Sequence, residues 1–320
     1  MKKIIMFFML ILSFVHGSNF DIVNIYRTSG LKEIERQIQH QLQTQSYWDY
    51  YLRNIDTSNG YYESIQYLMI CQKDLKDMVL YDTKNQKKIF YSSVFTGKAN
   101  GDKKIEGDMK TPVGAYKLTR RLTKLDPFYG PLALTTNYPN IYDKAQGKTG
   151  HGIWIHGLPT SQSRDDYTKG CIALDNKKIK KLDNSISINN SILIISEKAF
   201  FKTSKADISL ILAKLFQWKS AWKYSDFKQY ISFYDKKFKK ADGKNLKQFK
   251  RYKKRIFNKK ERKTIKFSNI NIVPYPNETN KKLYKIVFDE LYKTRSYRFN
   301  GKKELYVEIK NNNIYILTES

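Results

Sequence analysis

The stretch from Gly150 to Ile172 constrains this chain more than any other. Ile153-Trp154-Ile155-His156 alternates as a short strand, Gly157-Leu158-Pro159 ends it, and Thr168-Lys169-Gly170-Cys171-Ile172 leads into a second apolar run. Two of the four histidines and one of the two cysteines fall here, with His156 and Cys171 fifteen residues apart. That gap suits a strand end, a loop and a second strand folding back beside the first. A thiol becomes a strong nucleophile near neutral pH when an imidazole within hydrogen-bond reach takes its proton. Gly157 follows the histidine and Gly170 precedes the cysteine. Without a Cβ, such positions let backbone N–H groups approach a substrate oxygen, and the N–H groups of Gly170 and Cys171 are the expected oxyanion donors. Two plainer arrangements compete: Cys171 as a buried small hydrophobe, and a zinc site built from His151, His156 and Cys171. Residues five apart in a regular strand face opposite ways, so His151 and His156 diverge while Trp154 and His156 share a face. No second Cys or acid completes a ligand set at familiar spacing, so no metal and no cofactor are expected.

The run His156-Gly157, a loop, then Thr168-Lys169-Gly170-Cys171 resembles the catalytic signature of the YkuD-type L,D-transpeptidase family, His-Gly followed by Ser/Thr-His-Gly-Cys. Upstream, Thr111-Pro112-Val113-Gly114 resembles that family's Thr-Pro-x-Gly segment, and Tyr138-Pro139-Asn140 falls where the family often turns. The chain departs at Lys169, which replaces the histidine. That variant, with extra N- and C-terminal regions, is most similar to the cell-shape-determining L,D-carboxypeptidases of helical and curved Gram-negative bacteria. The resemblance implies a mainly-β catalytic domain with Cys171 as nucleophile, His156 as base and the Gly157 carbonyl orienting the imidazole. It also implies peptidoglycan stem peptides as substrate, cut between the L-centre of the third residue, meso-diaminopimelate, and the terminal D-Ala. With water as acceptor the chain is an L,D-carboxypeptidase that trims tetrapeptide stems to tripeptides and so influences cell shape. With another stem's amine it is an L,D-transpeptidase forming 3–3 cross-links. The alternative of another class is a non-catalytic wall-binding scaffold. Arg164 and Lys169 could each hold a substrate carboxylate, Arg as the better bidentate clamp; His151 and Trp154 are the other candidate substrate-binding residues.

Met1-Lys2-Lys3 followed by the apolar run Ile4 to Val15 reads as a secretory signal peptide over 1–17, too short for a membrane span of about 20 residues. Export to the periplasm and a mature chain without an integral span are the expectations, with an uncleaved anchor as the alternative. The net charge of +29 is extreme. An exported chain rarely meets nucleic acid, so the carboxylates of the wall polymer are the more accessible acidic partner. Two free thiols are expected, because a bridge from Cys71 to Cys171 would disable the nucleophile.

The whole reads as a multidomain α+β protein. Residues 18–75 are expected to be helical: Leu31, Ile34, Ile38 and Leu42 recur at three- and four-residue steps, and a second helix over 61–77 would carry Cys71. Such an arm offers a contact for a homodimer. Short apolar runs from Met78 predict a β-sandwich-like catalytic domain over 76–200, closed by a buried strand at Ile192–Ile195, with a surface helix over 175–184. After Glu197, Trp218, Trp222, Tyr230 and Tyr234 form a ridge at four-residue spacing, read as packed core. A basic segment and several strands follow. Helices ahead of a curved antiparallel sheet resemble the NTF2-like cone fold, so 204–320 is read as an NTF2-like substrate-binding domain.

Overall fold

Helix α1 (Asn19–Gln41) opens the computed structural model, which describes residues 19–160, 165–198 and 202–320. The expected leader at 1–17 and Arg164 lie outside the described residues. The chain continues through α2 (Gln45–Tyr51), β1 (Tyr61–Tyr62), β2 (Tyr67–Gln72), β3 (Asp77–Asp82), β4 (Lys87–Ser93), β5 (Gly114–Leu122) and β6 (Ala133–Thr136). Then come α3 (Ile141–Ala145), β7 (Trp154–His156), β8 (Ile172–Ala173), α4 (Asn176–Ser185) and β9 (Ser191–Ser196). The last part comprises α5 (Lys205–Lys223), α6 (Phe227–Ser232), α7 (Leu246–Asn258), β10 (Thr264–Pro274), β11 (Leu283–Lys293), β12 (Arg298–Lys310) and β13 (Asn313–Glu319).

The catalytic-type domain is one sheet in the order β4-β3-β2-β9-β5-β6-β7-β8, rather than the two facing sheets of a sandwich. The helix expected over 61–77 does not form. Tyr67–Gln72 instead pairs antiparallel with β3 and parallel with β9. Its apolar run is continuous because both faces are covered. Met69 and Cys71 pack into the core shared with Leu134, Ile155, Ile179 and Leu182, while Leu68 and Ile70 meet Val273, Tyr275 and Tyr306 of the second sheet. β9 repeats the pattern, with all six residues buried. It lies in the middle of the sheet, not at its close, between β2 and β5. The surface helix expected over 175–184 is α4, capped by the Asp175 carboxylate.

The second sheet runs β1-β10-β11-β12-β13. Its inner face and helices α5 to α7 bury Trp218, Tyr230, Tyr234, Phe249, Tyr284 and Ile316. The aromatic ridge is therefore core, as expected. The N-terminal region also joins this layer. Trp48 stacks on Phe216 with centroids 5.5 Å apart, Leu52 is fully buried, and Tyr61 pairs with Ile272 at the sheet edge. Truncating a buried tryptophan of this kind costs about 3–5 kcal/mol, so α2 is bound to the C-terminal core rather than loosely appended. α1 differs: it breaks at Gly30 (φ 77), and Val23, Tyr26 and Leu31 are exposed. Among the described residues, no helix is long and apolar enough to cross a membrane.

Candidate active site

Three short backbone segments meet at the end of the catalytic sheet. β7 pairs antiparallel with β6, setting His156 opposite Ala133, and parallel with β8, setting Ile155 opposite Ile172 and His156 opposite Ala173. Extending the latter register by one residue sets Cys171 beside Trp154. In-register residues of a parallel pair share a face, and so do residues two apart. Trp154, His156 and Cys171 thus belong to one face of the sheet, while Ile155 is buried behind it.

His156 is only 1% exposed and its ring is held on several sides. Nδ1 lies 2.6 Å from the Gly157 carbonyl oxygen. A carbonyl can only accept, so Nδ1 carries the proton, and Nε2 holds the lone pair of the neutral ring. Gly157 is fixed in turn. Its N–H donates to Tyr129 O at 3.0 Å, the Leu158 N–H donates to Asn176 Oδ1 at 2.8 Å, and Asn176 Nδ2 donates to Leu158 O at 3.0 Å. A Cβ on Gly157 would stand 2.7 Å from Pro131 Cδ, which is why the position tolerates no side chain. The Tyr129 ring meets the imidazole edge-on at 5.1 Å and also packs on Trp154 at 5.1 Å.

Cys171 is half-buried, with Sγ 3.5 Å from Gly152 O. The turn before it is tied by Thr168, whose Oγ1 accepts the Gly170 N–H at 2.9 Å and donates to Cys171 O at 2.7 Å. The Gly170 N–H, an expected oxyanion donor, is therefore engaged by Thr168 in this structure. Cys71 offers a contrast: near the end of β2 it is fully buried, and burial pushes its thiol up to about 12.

His156, Cys171, Phe128, Tyr129, Asp165, Tyr167, Thr168 and Lys169 line a cleft of 470 Å³. Lys169 is thus beside the thiol. His151 is not in this lining; its exposed ring lies 3.3 Å from Glu106 Oε2. Trp154 reaches the site through Tyr129. The aromatic wall and Asp165 were absent from the sequence reading. Pro127-Phe128-Tyr129-Gly130-Pro131, a rigid turn carrying two aromatics, was the available signal for the former. Among the described residues, no group of three or more His, Cys, Asp and Glu side chains is arranged to hold a metal ion.

A family model of the L,D-transpeptidase catalytic domain (YkuD) matches residues 67–194, and one of the Cds6 C-terminal NTF2-like domain matches residues 210–320. The fold is similar to the crystal structure of the helical cell shape determining protein Pgp2 from Campylobacter jejuni. The two are 43% identical, the match covers 87% of this chain and 100% of that one, and the TM-score is 0.82. Bd1075 from Bdellovibrio bacteriovorus is 27% identical over 82% of this chain and 96% of its own, with a TM-score of 0.67. Among curated proteins, the putative L,D-transpeptidase YafK of Escherichia coli strain K12 is 35% identical over 82 residues, 26% of this chain. That match spans 30% of YafK's length.

Proposed function

Because the chain belongs to the YkuD L,D-transpeptidase family, we propose that it is a cysteine L,D-carboxypeptidase that trims peptidoglycan tetrapeptide stems to tripeptides and thereby influences cell shape. The observation that carries the reading is the single cleft lined by both Cys171 and His156, with the His156 Nδ1 proton committed to the Gly157 carbonyl.

In this reading His156 Nε2 takes the Cys171 proton and Sγ attacks the carbonyl of the third stem residue. The oxyanion that forms is held by backbone N–H groups of the Gly170–Cys171 turn. The Cys171 N–H is the first donor, and the Gly170 N–H joins only by exchanging Thr168 Oγ1 for the oxyanion. The C–N bond breaks as His156 returns its proton to the leaving D-Ala amine. Water, deprotonated by the same imidazole, cleaves the thioester and restores the thiol. Lys169, lining the cleft, supplies a cation for a substrate carboxylate, with Phe128 and Tyr129 as an apolar wall and Trp154 packed on Tyr129. His151, by Glu106 and outside the cleft lining, and Arg164 are kept as candidate substrate contacts. Release of D-Ala from purified tetrapeptide stems tests the assignment; 3–3 cross-linked products instead would make the chain a transpeptidase.

The site of action proposed is the periplasm, reached through the leader read at 1–17. The C-terminal domain is proposed to bind the wall polymer. Its helix α7 exposes Lys247, Lys250, Arg251, Lys254 and Arg255 and contains no acidic residue. Full-length protein should co-sediment with sacculi at low salt and dissociate as salt rises. Absence of binding would reduce this domain to structural support, and binding indifferent to salt would shift the contact to aromatic groups. A homodimer through α1 is proposed because Val23, Tyr26 and Leu31 are apolar and exposed there. Light scattering should show a dimer that Leu31→Lys converts to monomer; a monomeric parent would remove the proposal.

A further inference from the structure

The turn that carries Cys171 leans on residues 95–113, and the C-terminal domain grips that segment. The Thr168 N–H donates to Thr96 O at 2.7 Å, the Lys98 N–H donates to Thr168 O at 3.1 Å, and Phe95 and Ala173 exchange two backbone bonds at 2.9 Å. Gly170 (φ 136) lies so close to Lys110 that a Cβ would stand 2.6 Å from its carbonyl oxygen. The segment is folded on itself behind this contact. The Gly97 N–H donates to Thr111 Oγ1 at 2.8 Å, and the Ala99 N–H donates to Met109 O at 3.1 Å.

Asp108 ties the tip of this segment by accepting the Lys104, Ile105 and Lys110 N–H groups, and Asp102 ties it to the C-terminal domain. Asp102 Oδ1 accepts the Val113 N–H at 2.8 Å, and its Oδ2 meets Lys148 Nζ at 2.6 Å. The buried Lys148 ammonium also reaches Asp143 at 2.7 Å, and the Tyr275 hydroxyl donates to Asp143 at 3.2 Å. The Asp102 N–H itself donates to Glu278 Oε1 at 2.7 Å. Tyr275 and Glu278 both lie on the connection between β10 and β11, so the C-terminal domain holds Asp102 by its main chain and, through two relays, by its carboxylate. Lys73, just beyond β2 and nearly buried, donates to Gly101 O at 2.6 Å and Thr111 O at 3.0 Å.

We propose that Glu278 and Tyr275 are positioning residues for Cys171, acting through Asp102 and the 95–113 segment, so that the C-terminal domain completes the support of the catalytic turn. The inference rests on Cys171 being the nucleophile. Buried ion pairs with satisfied partners hold one arrangement, since a displaced charge is left uncompensated. A nucleophile misplaced by 1 Å can lose about a hundredfold in rate, so a support of this kind reads out in turnover. Glu278 is the accessible handle. Its side chain is 40% exposed, so truncation removes the acceptor for Asp102 without opening a core.

The experiment uses the full chain with Glu278→Ala, Glu278→Gln and Tyr275→Phe. Glutamine keeps an Oε1 acceptor for the Asp102 N–H but loses the charge that faces Lys104 Nζ at 3.7 Å. Glu278→Ala is expected to lower kcat about tenfold with little change in KM, and to alter the rate at which iodoacetamide alkylates Cys171. Glu278→Gln should behave as the parent, and Tyr275→Phe should follow Glu278→Ala. A folded Glu278→Ala protein with parental kcat and parental Cys171 alkylation overturns the proposal, as does a glutamine variant impaired as much as the alanine one. Alkylation needs no substrate. If the parent releases no D-Ala while Glu278→Ala still changes Cys171 alkylation, the coupling stands and the reaction assignment fails.

Discussion

Replacing Cys171 with Ala is expected to lower turnover by about a thousandfold or more, because it removes the thiol that attacks the substrate carbonyl in the proposed mechanism. The fold should survive. Cys171 is half-buried on a turn fixed by Thr168, and the substitution removes one sulfur whose contact to Gly152 O is 3.5 Å. The remaining thiol cannot stand in for it. Cys71 sits between β3 and β9, fully buried, with its thiol pushed up to about 12. Alkylation of the native protein followed by mass mapping should therefore label Cys171 and spare Cys71. A folded Cys171→Ala protein that still turns over would end the thiol mechanism.

His156→Gln should lower turnover by about a hundred- to ten-thousandfold, the range typical of a lost general base. The imidazole is nearly enclosed, with Nδ1 on the Gly157 carbonyl and Tyr129 against its edge. Glutamine fills much of the space but cannot cycle a proton near neutral pH. The pH dependence of Cys171 alkylation carries the sharper signal. Without the imidazole to take its proton, the thiol should be alkylated far more slowly at pH 7 and recover as pH rises. The parent should already react at pH 7. Equal alkylation of parent and His156→Gln at pH 7 would remove His156 from the base role.

Much of the architecture was legible because it is written in local pattern. The helical periodicity of Leu31 to Leu42, the capped surface helix after Asp175 and the strands after Ile265 all follow from neighbouring residues. The failures lie where distant segments decide. Tyr67–Cys71 reads equally as buried helix or buried strand, and only β3, β9 and the second sheet covering its two faces select the strand. The attachment of α2 and β1 to the C-terminal layer had no local signature, because the partners, Phe216 and Ile272, come from the far end of the chain. The candidate site divides the same way. His156-Gly157 and Gly170-Cys171 are contiguous motifs, whereas Tyr129 comes from the turn before β6 and Asp102 from the loop ahead of the Thr111-Pro112 motif. His151, expected to diverge from His156 but kept as a candidate substrate contact, lies by Glu106 and outside the cleft lining. The Gly170 N–H looked like a donor by position, and its partner Thr168 Oγ1 could be found only in three dimensions.

The most direct test of the account is the product analysis of purified full-length protein acting on disaccharide tetrapeptide. The expected result is tripeptide and D-Ala released in equal amounts, with no release by Cys171→Ala. Accumulation of 3–3 linked dimers would replace water with a second stem as acceptor. No release of D-Ala from a folded parent whose Cys171 is alkylated normally would contradict the enzymatic reading and leave a wall-binding scaffold.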